Sequence, residues 1–98
     1  SAGAISMDTL SRQVFLADRP THIGPTEYRL LEFFMTHENR AFSRTQLLDH
    51  VWGMNVFLEE RTVDVHIRRL RKILEKAKLA HYIQTVRSHG YRFVTAAS

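Results

Sequence analysis

The stretch RTVDVHIRRLRKIL, residues 61–74, sets five arginines and lysines among six valines, isoleucines and leucines, without glycine or proline. Cationic side chains at this density suit a polyanion: any of them neutralises a phosphate, and arginine's planar fork also gives two parallel hydrogen bonds to one acceptor edge. At about 100° per residue, Val63, Ile67, Leu70, Leu74 and Ala77 share one stripe of a helix. Arg61, Arg68, Arg69, Arg71, Lys72 and Lys76 spread over the opposite arc, interrupted by Asp64 and Glu75. Part of that charge can pair within the helix, as Asp64 with Arg68 and Glu75 with Arg71. Val65 argues for contact with a partner. It lies about 200° from Val63, among the arginines, where a face meant only for water favours a polar residue. An apolar branch within a basic face suits a partner that carries both phosphates and methyl groups, such as thymine in a DNA major groove.

Other chemistry is poorly supported. Without cysteine there is neither a disulfide framework nor a thiolate metal site. The histidines, at 22, 37, 50, 66, 81 and 89, lack ligand spacing, so no metal site is expected. Glu59 and Glu60 are adjacent carboxylates, but a helix dipole explains two acids at a helix start better than acid–base catalysis does. No nucleophile elbow or phosphate-cradling glycine loop is present, so neither an enzyme nor a cofactor is expected. No apolar run approaches the ~20 residues of a membrane span, and no signal peptide is visible, which leads to the expectation of a cytoplasmic protein. Charge divides unevenly along the chain. Residues 1–60 hold five Arg against eight Asp and Glu, a net −3, and residues 61–98 hold nine Arg and Lys against two acids, a net +7. A basic second part of this kind calls for a polyanionic partner.

The elements that must carry these groups fit one domain spanning 1–98. Residues 4–23 lack a helical period, and their short apolar clusters separated by turn formers predict three or four antiparallel strands. Gly24-Pro25 opens a first helix over 25–37, with Tyr28, Leu31, Phe34 and Met35 at helical spacing. Ser43 and Gln46 form a capping box for a second helix over 44–51, and Gly53 is placed to end it. The loop 53–60 carries Met54, Val56, Phe57 and Leu58, which either fold onto the core or form a protein-contact patch. The basic helix spans 61–76. YIQTV and YRFV, flanking RSHG, predict a hairpin over 82–94 with Gly90 at positive φ. A helix, a basic helix and a basic hairpin in that order make a winged helix-turn-helix. The alternative function is a winged-helix protein-interaction module whose basic helix grips an acidic partner.

The segments GPTEYRLLEFFMTH (24–37), SRTQLLDHVWG (43–53), RTVDVHIRRLRKIL (61–74) and QTVRSHGYRF (84–93) together resemble the DNA-binding domain of OmpR/PhoB-family response regulators. The resemblance implies an α+β winged helix-turn-helix with an N-terminal four-stranded antiparallel sheet, three helices and a C-terminal hairpin wing. It implies a sequence-specific double-stranded DNA-binding regulator of transcription, working in a bacterial two-component system of the phosphate-regulon type. By motif position, Arg69 is the principal base reader, Asp64 and Val65 face the groove beside it, and Arg87 enters the minor groove. Trp52, Arg61, Thr62, His66, Arg68, Arg71, Lys72, Thr85 and Tyr91 contact the DNA backbone. Trp52 has packing against the core as its competing reading. The loop Met54, Asn55, Val56, Phe57, Leu58 and Glu59 is implied to face the RNA polymerase sigma subunit, which points to an activator. Family members bind direct repeats as head-to-tail dimers once a receiver domain is phosphorylated. Ninety-eight residues filled by a winged helix leave that receiver no room, so the chain reads as the effector part. One departure stands out. The family's wing reads R-G-x-G-Y, whereas Arg87 is followed here by Ser88-His89-Gly90, and serine restricts φ where glycine would not.

Overall fold

The computed structural model describes residues 2–53 and 58–95. Its first layer is an antiparallel meander of β1 (Ile5–Asp8), β2 (Gln13–Leu16) and β3 (Arg19–Thr21), in that spatial order. Ile5 faces Leu16 and Val14 faces Thr21, and the apolar members Ile5, Val14 and Leu16 are buried. Ala17 and Asp18 form the two-residue β2–β3 turn with φ of 51° and 66°, the paired positive values that a type I′ hairpin demands. Asp8 Oδ1 accepts from the amides of Leu10 and Ser11 and so shapes the β1–β2 turn.

Three strands, rather than four, make this sheet among the described residues. Pro20 lies in β3, and a residue without an N–H suits a strand at the sheet's edge. The next strand, β4 (Ala41–Ser43), joins a second sheet of order β4–β6–β5 with the C-terminal hairpin, β5 (Ile83–Val86) and β6 (Gly90–Phe93).

Helix α1 (Pro25–Thr36) starts on proline and buries Tyr28, Leu30, Leu31 and Phe34. Both hydrogen bonds of the expected capping box are present at Ser43 and Gln46, 3.1 and 2.8 Å long. They open α2 (Arg44–Leu47), which continues as a π-helical turn over Leu48–Trp52. Gly53 closes that turn at φ 108°, its amide donating to Leu48 O. Helix α3 (Arg61–Glu75) buries Val63, Ile67, Leu70 and Leu74 and packs against α1 and α2. Lys78 ends it in the left-handed region, with the amides of Lys78 and Leu79 donating to Glu75 O and Leu74 O, a Schellman closure.

The hairpin corrects one expectation. Gly90 is not at positive φ; Ser88 is, at 61°. The turn closes through His89 N to Val86 O at 2.9 Å, with the left-handed residue at its third position, where glycine or asparagine is usual. Gly90 is needed for another reason. A Cβ there would stand 2.0 Å from the Phe42 carbonyl oxygen, so glycine lets β4 and β6 meet at the Ser43–Gly90 pair.

Candidate nucleic-acid interface

The buried stripe of α3 fixes which side of the helix faces out. Arg61, Arg68, Arg69, Lys72 and Lys76 are all exposed, and Val65 stands 41% exposed among them. Arg61 meets Glu59 at 2.9 Å, a pair so open to water that it contributes about 1 kcal/mol at most. Neither pairing within the helix that the sequence allowed is made: Asp64 and Arg71 both turn toward other elements. Arg68, Arg69 and Lys72 make no ion pair among the described residues.

The flanks of α3 behave differently. Asp64 Oδ2 accepts from Arg44 Nη1 at 3.0 Å, and its Oδ1 accepts from the Tyr91 hydroxyl at 2.6 Å. Arg44 also pairs with Glu60 at 3.3 Å, while Thr45 donates to that carboxylate at 2.8 Å. Burial and the Asp64 carboxylate push the Tyr91 hydroxyl up to about 12, so it keeps its proton and acts as a donor. Arg71 donates to Ile83 O (2.9 and 3.1 Å) and to Thr85 Oγ1 (2.9 Å), with its guanidinium 5.5 Å from the centre of the Tyr91 ring. His66 turns inward, its Nδ1 donating to the buried Glu27 carboxylate of α1 at 2.5 Å. The half-buried Trp52 packs on the core and on His66, with ring centres 5.3 Å apart.

Together, α3 and the wing line an open cleft whose walls include Arg44, Asp64, Thr85, His89 and Tyr91. Arg87, Ser88 and His89 are exposed at the wing tip, Ser88 and His89 also lining the cleft, and Thr62 is half-buried at the start of α3. Leu58 and Glu59 are exposed, while Met54, Asn55, Val56 and Phe57 lie outside the described residues. Sequence reasoning missed Arg44 and Glu27. Each forms its bond across a long sequence separation, 20 residues for Arg44–Asp64 and 39 for Glu27–His66, so no local spacing could reveal it. Among the described residues, no cluster of His, Cys, Asp or Glu could hold a metal, and no helix is long and apolar enough to cross a membrane.

The model of a family described as "Transcriptional regulatory protein, C terminal" matches residues 18–93. The chain belongs to this family. It is of the OmpR/PhoB type that its motifs implied, a family of transcriptional regulators and not of enzymes. The phosphate regulon transcriptional regulatory protein PhoB of Pseudomonas aeruginosa is 58% identical over 93 residues, covering 95% of this chain. The chain spans only 40% of that relative's length. The solved DNA-binding domain of the response regulator AdeR, in complex with an intercistronic region, superposes with a TM-score of 0.88 at 31% identity, covering 98% of this chain and 99% of that one. The Klebsiella pneumoniae RstA DNA-binding domain, in complex with the RstA box, gives 0.84 at 33% identity, covering 98% and 96%. The winged-helix fold is thus shared with two domains solved on DNA.

Proposed function

We propose that this domain binds double-stranded DNA sequence-specifically and regulates transcription as the output part of a two-component response regulator of the phosphate-regulon type. The observation that carries the reading is the outer face of α3, where Arg68, Arg69 and Lys72 are exposed and make no ion pair among the described residues, beside an exposed Val65. A helix of this kind fits the major groove, Arg69 donating to guanine O6 and N7 while Val65 meets a thymine methyl. Arg61, Thr62, Arg68 and Lys72 hold phosphates and set the register. At the wing, Arg87 enters an A·T-rich minor groove, where negative potential concentrates. His66, Trp52, Thr85, Arg71 and Tyr91 border the DNA backbone while their bonding groups or rings engage the protein itself. The loop from Met54 to Glu59 faces the RNA polymerase sigma subunit, and copies bind head to tail on direct repeats under control of a receiver domain, in the cytoplasm.

Titrating duplex binding with salt tests the reading. The logarithm of the binding constant falls linearly with the logarithm of salt concentration, with a slope of about −0.9 for each phosphate neutralised. A duplex recovered by selection on this chain binds tighter than random duplex. Equal affinity for the two would defeat the sequence-specific reading, and a flat salt response would favour the acidic-protein alternative.

A further inference from the structure

Asp64 is a carboxylate in a face that is otherwise cationic. Left open to DNA it would repel phosphates, yet both its oxygens are already engaged, by Arg44 at the start of α2 and by Tyr91 on β6. Three elements far apart in sequence therefore meet on one side chain. Resting on the DNA-binding reading above, we propose that Asp64 is a positioning residue: it fastens the wing and α2 to the recognition helix, holding Arg87 at a fixed offset from Arg69 before DNA arrives.

The geometry supports fastening over reading. An aspartate that reads a base accepts from a cytosine amino group, but here each oxygen already accepts a hydrogen bond within the protein and the side chain is only 34% exposed. The apolar seat of the hairpin, through Ile83, Tyr91 and Phe93, resists separation without specifying a tilt, because apolar contact is non-directional. The Tyr91 hydroxyl bond is directional. Arg71 adds a second attachment farther along α3, at Ile83 O and Thr85 Oγ1. Two attachments along the hairpin define its angle, and a preset angle removes an ordering cost from binding.

Two measurements on the whole 98-residue chain test this. Without DNA, amide exchange is compared in Asp64→Ala, Asp64→Asn and Tyr91→Phe. The amides of His89 and of β6 should exchange about tenfold faster in Asp64→Ala and Tyr91→Phe, the effect of one hydrogen bond to a charged group. Amides in the middle of α3 should not change. Asp64→Asn, which keeps an acceptor for Tyr91, should recover part of the protection.

With DNA, the probes are a duplex recovered by selection on this chain, a copy with G·C pairs replacing its A·T-rich flank, and a copy with one pair changed in the recognition-helix segment. Asp64→Ala and Tyr91→Phe should lose discrimination at the flank and keep it at the recognition segment, with no further loss when Arg87→Ala is added. Loss confined to the recognition segment would show that Asp64 reads a base and would overturn the proposal. Unchanged exchange, with the unaltered chain still discriminating among duplexes, would overturn the fastening alone. If the unaltered chain distinguishes no duplex, the DNA-binding reading fails and takes the wing-offset claim with it.

Discussion

Helix α3 and the wing lie on the same side of the molecule but are held there by different forces. The helix is seated by Val63, Ile67, Leu70 and Leu74, all buried at 1% exposure or less, and burying such side chains contributes about 1.5–3 kcal/mol each. The wing is seated partly by Tyr91 and Phe93, and partly by polar bonds from Asp64 and Arg71. Apolar burial supplies strength without direction, and hydrogen bonds supply direction with less strength. A surface that matches a duplex, as proposed above, needs both. The helix gives the domain its rigid axis, and the polar ties set where the second point of contact stands.

Four changes separate the two regions, beginning with the most severe. Leu70→Ala empties part of the seat beneath the helix and should cost about 2–5 kcal/mol; thermal melting would show it, and both regions should fail together. A loss below ~1 kcal/mol would mean that the seat relaxes easily. Gly90→Ala drives a methyl into the Phe42 carbonyl and should cost about 1–3 kcal/mol, as overpacking does. Exchange protection should fall first in β4 and β6, and protection lost equally in α3 would argue that the two regions are one unit. Arg69→Ala should leave melting unchanged while costing about 1–3 kcal/mol of binding and relaxing selectivity at one base pair. Uniform weakening on every duplex would make Arg69 a phosphate contact.

The subtlest change is alkaline. Folding raises the Tyr91 hydroxyl from 10.0 to about 12, so the folded state favours the protonated form. Its contribution is complete below pH 10 and is lost as pH rises toward about 12. The stability difference between the unaltered chain and Tyr91→Phe should shrink across that interval. A constant difference would show that the hydroxyl's bond to Asp64 adds nothing to the wing's seat.

What the sequence made legible follows from how local each signal is. The stripe on α3 was readable because a 3.6-residue period repeats it four times, and the Ser43–Gln46 box because both partners sit three residues apart. The winged-helix class and its family type were likewise readable, from motifs spread over most of the chain. The first sheet was legible as three or four strands over residues 4–23, and three form it. The strand Ala41–Ser43 was not legible, because its partner lies some fifty residues downstream at Gly90–Phe93. The wing inverted two residues for a similar reason. A glycine in a turn suggests a left-handed backbone, but the demand on Gly90 comes from the Phe42 carbonyl of a distant strand, and Ser88 takes the left-handed role instead. The same limit hid Arg44 and Glu27, and it left Asp64 looking like an ordinary member of an exposed face.

Under the proposed DNA-binding reading, the closure at Lys78 that ends α3 also limits how much information one copy can read. Stopped at Glu75, the helix has 15 residues, about 22 Å of axis at ~1.5 Å per residue. Successive base pairs stand ~3.4 Å apart, so the helix lies alongside about six of them at most. A fully specified word of about six letters recurs by chance roughly once in four thousand positions, and a genome offers ~10⁶ or more competing positions. One copy can therefore spell a word but not an address; an address takes a second word at a fixed distance.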